Sequence, residues 1–243
     1  MDRGLYIAAS GMLAELARQD QLANDLANSS TPGYKADRSA QSSFSDVLLV
    51  NERTGAAIGT LPLGSTIAEV RTDMAQGALK ETGQALDLAL DGDGFFAVKT
   101  AAGVRYTRDG QFSVDARGQL VNATGYPVLD DKGNAIAIAG GKDPVVGPDG
   151  AVTVDGKAVA TIAVVSLDGA KKEGDTLLAG KPGKPGKRPA DTSVRQGYLE
   201  ASAVNVAQAM VEMISSMRAY ESVQRVIHAI DETLGRGING AQQ

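Results

Sequence analysis

Near the start of the chain, apolar or small residues recur at alternating steps of four and three, at Leu5, Ala9, Met12, Leu16, Ala23 and Leu26, with Gln19 the polar break on that seam. This spacing predicts an amphipathic helix with a narrow stripe. It would run about 35 Å at ~1.5 Å per residue. The cluster Asn28-Ser29-Ser30-Thr31-Pro32-Gly33 sets its end, because proline lacks a donor and glycine favours turns. The C-terminal end repeats the pattern with Val206, Met210, Met213, Met217, Tyr220, Ile227 and Leu234, interrupted by Gln224 and Asp231. Val223 and Ile230 lie one step off, the drift that a 3.6-residue helix makes against a seven-residue repeat. Gly235 and Gly237 are expected to close this helix. Neither stripe can be buried by its own helix, so the two are expected side by side as a coiled-coil-like, discontinuous domain.

Between the ends the period changes to two. Leu86 to Leu90, Gly94 to Val98, Val104 to Thr107, Gln111 to Val114 and Thr161 to Val165 read as strands. Asp109-Gly110, Arg117-Gly118, Lys132-Gly133, Asp149-Gly150 and Asp155-Gly156 read as hairpin turns between them. The fold class expected is α+β. Terminal helices from 1–38 and 191–243 form one domain, 39–85 is an extended connector with one or two short strands, and 86–179 is a β-rich domain. A Lys/Pro/Gly linker occupies 180–190, with four positive charges and three prolines from Gly180 to Pro189.

The 243 residues, 43% hydrophobic, suffice for one large domain or two modest ones. The chain has no cysteine and one histidine, His228, which excludes thiol nucleophiles, cysteine-held metals and histidine triads. A net charge of −5 argues against a nucleic-acid binder. No apolar run approaches the roughly 20 residues of a bilayer helix, so no membrane insertion is expected. Asp2 stands where a signal peptide wants positive charge, so any export is expected to use another route.

The chemical motifs dissolve into structure one by one. Asp91-Gly92-Asp93-Gly94 resembles a calcium loop, but Ala102 stands where an EF-hand needs its bidentate glutamate. Gly92 to Ala97 formally fits a dinucleotide fingerprint, but a strand rather than a helix follows. A glycine-rich turn before a core strand is the expectation, with no metal and no cofactor. No Gly-Lys-Ser/Thr loop is present. Asp130-Asp131 reads as a solvated turn, and His228 as a partner-facing or half-buried side chain. Tyr34, Tyr106, Tyr126, Phe95, Phe96 and Phe112 are expected in the core, and the Met210, Met213, Met217 set in helix association.

Three separated segments carry a resemblance. Gln21 to Lys35 (QLANDLANSSTPGYK) resembles the N-terminal signature of the flagellar rod and hook proteins, with Asn24, Asn28, Thr31, Gly33 and Tyr34 as its motif positions. Leu86 to Phe96 (LDLALDGDGFF), Tyr106 to Phe112 (YTRDGQF) and Gly118 to Leu120 resemble the central segment of the rod members. Gln196 to Ser202 (QGYLEAS), Met210 to Ile214 and Arg218 to Glu221 resemble the C-terminal helix region. Ala203 departs from the Asn usual there, and the compact middle is more similar to proximal-rod than to distal-rod members.

The resemblance implies a structural subunit of the bacterial flagellar basal-body rod, not an enzyme, whose terminal helices self-assemble into a tubular drive shaft. Its implied partners are other copies of itself, neighbouring rod proteins and the flagellar export apparatus, with no nucleic acid. Its implied place is the rod in the cell envelope, reached by type III export without a cleaved signal. Leu5, Met12, Leu16, Leu26, Val206, Met210, Met213, Met217, Tyr220, Ile227 and Leu234 are the expected assembly interface. The alternative is a secreted peptidoglycan-active or carbohydrate-binding β-domain protein, and a surface adhesin on coiled-coil ends is a third class.

Overall fold

A computed structural model describes residues 2–43, 46–50, 53, 56–62, 64–138, 144–174, 176–182, 189 and 191–240. The chain forms two compact units. The helical unit takes Met1–Ala27, Asp37–Arg71 and Asn205–Gln243, and the β unit takes Asn28–Ala36 and Thr72–Val204. The overall class is α+β, with a helix at each end of the chain and strands between them.

In the helical unit, α1 spans Asp2–Ala27 and α2 spans Val206–Gly240. Asn205 starts α2 as an N-cap: its Oδ1 accepts the Gln208 N–H at 3.2 Å and its carbonyl accepts the Ala209 N–H at 2.9 Å. Gly235 and Gly237 do not close α2, which runs through both to Gly240. A glycine costs a helix only about 1 kcal/mol against alanine, and no proline follows to force the stop.

Residues 39–85 are more ordered than the connector expected from them. Asp37–Ser43 pairs with Ser65–Thr72, Asp46–Val50 pairs antiparallel with Ala57–Pro62, and Leu79–Glu81 is a further strand. The polar composition of Asp37–Ser43 hides a strand that has no apolar face of its own. The ribbon is tied to α1 within the same unit. The Gln21 side-chain amide donates to the Asp37 carbonyl, and Ser10 Oγ accepts the Ser65 N–H at 3.3 Å.

The β unit holds an antiparallel five-stranded sheet in the order Val164–Val165, Phe95–Thr100, Gly103–Thr107, Leu177–Pro182, Leu167–Lys172. A three-stranded sheet orders Val145–Val146, Ala151–Val154 and Lys157–Thr161. Successive side chains of a strand point to opposite faces, and Phe95–Thr100 buries both. Phe96 and Val98 enter one core cluster with Leu88, Leu90, Val128, Ile136 and Val152, while Phe95 and Ala97 enter a second with Tyr106, Leu129, Val165 and Leu178. Phe96 and Phe112 meet edge to face, 5.2 Å between centroids. Tyr34, also buried, and half-buried Tyr126 complete the aromatic set.

Four of the five expected turns reverse the chain. Asp155-Gly156, with φ of 54° and 74°, joins paired strands as a left-handed turn. Arg117-Gly118 and Asp149-Gly150 join paired strands, and Lys132-Gly133 lies inside the Leu129↔Ala135 bridge. Asp109-Gly110 joins no hairpin: Gly103–Thr107 pairs with Phe95–Thr100, and Phe112–Val114 with Leu120–Asn122. Gly110 is needed for close approach instead, since a Cβ there would lie 1.6 Å from the Leu88 carbonyl oxygen.

The β unit also claims chain expected elsewhere. Ser193–Gln196 pairs with Leu88–Asp91, and Tyr198–Glu200 with Leu79–Glu81, so 191–204 belongs with the strands rather than with α2. Long-range pairing decides that boundary, which helix periodicity cannot register. Of the 180–190 linker, Leu177–Pro182 is strand to its end, while 183–188 and 190 lie outside the described residues.

Candidate functional site

The helix pair carries the assembly residues expected from sequence. α1 and α2 run antiparallel: a Cβ on Gly4 would lie 3.8 Å from Ile230, Ser216 Oγ donates to Glu15 Oε2 at 2.5 Å, and Arg18 reaches Glu212 at 3.8 Å. The side of α1 turned to α2 therefore follows Gly4, Ala8, Gly11, Glu15 and Arg18, a four-three column of small and polar residues. Hydrophobicity could not single out that column. The apolar stripe read from sequence lies about a quarter turn away, where Leu5 and Leu16 are exposed and Met12 and Leu26 half-buried.

On α2 the sequence stripe shares one of its two columns with the covered face. Met213, Tyr220, Ile227 and Leu234 are half-buried, alternating with Ala209, Ser216, Val223 and Ile230. Val206, Met210 and Met217 are instead exposed, as is His228. Gly4 lies against Ile230 and Glu15 against Ser216, so small and polar residues of α1 meet the covered face of α2 without those large side chains. The larger apolar residues Leu5, Leu13, Leu16, Met210, Val211, Ile214 and Met217 are consequently left outward on a lone chain.

A second constellation lies in the β unit, built from the family-like motifs. After α1, Thr31 Oγ1 donates to Asn28 Oδ1 at 3.1 Å and the Thr31 N–H to the Asn28 carbonyl at 3.1 Å, which turns the chain. Gly33, at φ 67°, lies where a Cβ would stand 2.3 Å from the Arg108 carbonyl carbon, and its N–H donates to the Glu200 carbonyl at 2.8 Å. Tyr34 is 1% exposed; its ring carries the Lys172 ammonium 3.7 Å from the centroid, and its carbonyl accepts the Ala203 N–H at 3.0 Å. Asn24 is an exposed position on α1.

At the centre is the Glu200 carboxylate, 1% exposed. Its Oε1 accepts Lys35 Nζ at 2.6 Å and the Gly77 N–H at 2.9 Å, and its Oε2 accepts Arg108 Nη1 at 2.9 Å. Lys35 also donates to the Ala75 carbonyl at 2.6 Å; Arg108 donates to the Gly92 carbonyl at 2.8 Å and lies 5.0 Å from the Phe95 ring centroid. Burial holds the Lys35 ammonium below the usual lysine range, against the pull of Glu200. Next to Arg108, burial pushes the Asp109 carboxyl up to about 6, Asp87 adding to the rise and the Gln111 N–H opposing it.

Arg108 also ties the Asp91-Gly92-Asp93-Gly94 turn into this cluster through Gly92, while Asp91 pairs outward with Arg195 at 2.6 Å. That turn leads into Phe95–Thr100 as a strand. Among the described residues, no group of three or more acidic, histidine or cysteine side chains is placed to hold a metal.

Lys35, Arg108 and Glu200 lie inside the three motifs, but nothing in the sequence pattern alone marks them as a site. The available signal was a charged residue within each of three otherwise apolar or turn-forming motifs.

Comparison with known proteins divides the chain at the same three segments. Residues 5–35 match the family model "Flagella basal body rod protein", residues 89–154 "Flagellar hook protein FlgE/F/G D1 domain", and residues 195–240 "Flagellar basal body rod FlgEFG protein C-terminal". The flagellar basal-body rod protein FlgF of Rhizobium meliloti is 33% identical over 98% of this chain and 97% of its own. The chain belongs to the flagellar basal-body rod protein family. FlgG of Bacillus subtilis is 32% identical over 98% of this chain and 99% of its own, and FlgF of Escherichia coli 34% over 97% of each. The buried cluster of this rod-family chain draws Lys35, Arg108 and Glu200 from the three matched segments, one from each. None of those models describes a peptidoglycan-active or carbohydrate-binding domain, so that alternative gains no support.

Proposed function

We propose that this chain is a non-enzymatic structural subunit of the bacterial flagellar rod, and that α1 and α2 are its assembly elements. The observation that carries the reading is the pair of long helices meeting through small and polar residues of α1, with large apolar side chains left outward on both. Outward apolar stripes on unlike helices favour a heterologous contact, which repeats into an open helical filament rather than closing into a dimer. Other copies and neighbouring rod proteins are the partners that cover them, in the rod within the cell envelope. Delivery by the flagellar export apparatus without a cleaved signal fits a chain with no cysteine to crosslink in transit. No helix among the described residues is long and apolar enough to cross a membrane.

Met213→Asp and Leu26→Asp test this reading. Each puts a carboxylate at a half-buried position on a helix, so motility and recovery of the subunit in isolated basal bodies should be lost while the strand signal in circular dichroism persists. Normal swimming and normal recovery for both variants would overturn it.

A further inference from the structure

Gly11 sits inside α1, where glycine weakens a helix, yet beyond the adjoining backbone of its own helix nothing lies within 4 Å of the place its Cβ would take. The chain's own packing therefore does not require the missing side chain. Gly11 opens instead onto a largely apolar groove of about 510 Å³ lined by Gly4, Ile7, Ala8, Val223 and Val226 together with Gly64 and Ser65. The groove continues the contact line of α1 with α2, where that line lacks side chains to fill it.

The same chain carries a matching projection. Val206, Met210, Ile214 and Met217 recur at helical spacing and are 38%, 48%, 51% and 49% exposed. At ~100° per residue this stripe lies on the opposite side of α2 from Val223 and Val226. It is also displaced along the axis, with Ile214 and Val226 about 18 Å apart at ~1.5 Å per residue. One copy can thus offer its stripe on one side while receiving another copy's stripe on the other.

We infer that the groove at Gly11 receives the Met210, Ile214, Met217 stripe of a second copy of this chain, displaced by about 18 Å along the helices. The occupant is another copy because the chain supplies both halves, on opposite sides and at different heights, and such a contact repeats without closing. Four half-exposed side chains fall well short of the roughly 800 Å² per partner of a stable dimer. The contact holds only where several act together, so the free chain stays monomeric and assembles in the rod. This inference rests on the assembly reading above and specifies its partner face.

Gly11→Leu tests it directly. Beyond the adjoining backbone of its own helix, leucine meets nothing within 4 Å of its Cβ in the lone chain and is a better helix former, so the purified variant should keep its helix content and melting temperature or exceed them. Its recovery in isolated basal bodies should nevertheless fall tenfold or more, with Gly11→Ala falling less. In a second arm, Ile214→Cys and Val226→Cys are placed on one otherwise cysteine-free chain and treated in basal bodies with a bismaleimide too short to span the two sites within a chain. Cross-linked oligomers that vanish when either cysteine is omitted support the inference.

Gly11→Leu recovered at the wild-type level overturns it, as does a doubly substituted chain recovered normally yet only monomeric after cross-linking. Should the paired cysteines block recovery, Gly11→Leu decides alone. Absence of the wild-type chain from basal bodies would instead overturn the rod reading itself.

Discussion

Replacing Glu200 with glutamine removes one negative charge from between two buried cations and changes almost nothing in shape. The carboxylate accepts from Lys35, Arg108 and the Gly77 N–H at 2.6, 2.9 and 2.9 Å. Glutamine keeps one acceptor and turns the other oxygen into a donor, so a donor must face a donor and both cations lose their anion. Removing one partner of a buried pair costs about 3–5 kcal/mol, much of it the charge left behind. Lys35 can shed its proton and recover part of that cost, because burial already holds its pKa low, but Arg108 cannot. A net loss of about 3–4 kcal/mol follows, which at ~2 kcal/mol per molar urea lowers the midpoint of the β-unit transition by about 1.5–2 M.

The assay is urea unfolding at pH 7, followed by far-ultraviolet circular dichroism and tyrosine fluorescence. Glu69→Gln, which breaks an exposed pair with Arg71, serves as the control and should leave the midpoint unmoved. A Glu200→Gln midpoint within about 0.3 M of wild type would refute the view that these charges are tightly coupled.

Asp109→Asn should stabilise the β unit at pH 7 and flatten its pH profile. With the folded pKa raised from 3.8 to about 6, the folded form holds a proton that the unfolded chain has lost. Stability from this group is therefore greatest below about 4, falls as pH rises to about 6 and is level above, a swing of about 3 kcal/mol; a wild-type denaturation series with no fall between those pH values would contradict it. Gly110→Ala should lower the melting temperature sharply, since its Cβ would overlap the Leu88 carbonyl at 1.6 Å and backbone must move; an unchanged melting temperature would mean that Leu88 yields freely. In dilute monomer, limited proteolysis should trim α1 and α2 first and leave the strands of the β unit protected, because a helix pair that leaves so many large apolar side chains exposed buries little area against about 1–2 kcal/mol of entropy per residue. Helices as resistant as the strands would contradict this.

Both helices and their adjacency were legible from sequence, because long periodic segments are the strongest pattern a sequence carries. Which face of each helix meets the other was not. The pattern weights hydrophobicity, and here Leu5 and Leu16 point away while Gly4, Ala8, Glu15 and Arg18 lie along the contact. Turn dipeptides predicted local reversals well, as at Asp155-Gly156, and failed at Asp109-Gly110, where the glycine lies against the backbone of Leu88, distant in sequence but adjacent in space. The placement of 191–204 in the β unit depends on pairing with Leu88–Asp91 and Leu79–Glu81, far away in sequence. The charged cluster stayed hidden for the same reason: three ordinary surface-like residues become a site only when the motifs converge.

That convergence explains why the motifs lie where they do along the chain. The chain passes between the units four times, after residues 27, 36, 71 and 204. Within the β unit, the segments on the β side of these passages are bonded to one another: Ala36 to Asp73 at 2.8 Å, Gly33 to Glu200 at 2.8 Å and Tyr34 to Ala203 at 3.0 Å. Lys35 and Glu200 sit among those residues, so the buried ion pair ties the same β-unit segments together. Apolar side chains of similar volume could fill the same space at equal or lower cost. They would not demand one arrangement, since methylenes slide past one another while a carboxylate with three donors has one geometry that satisfies all of them.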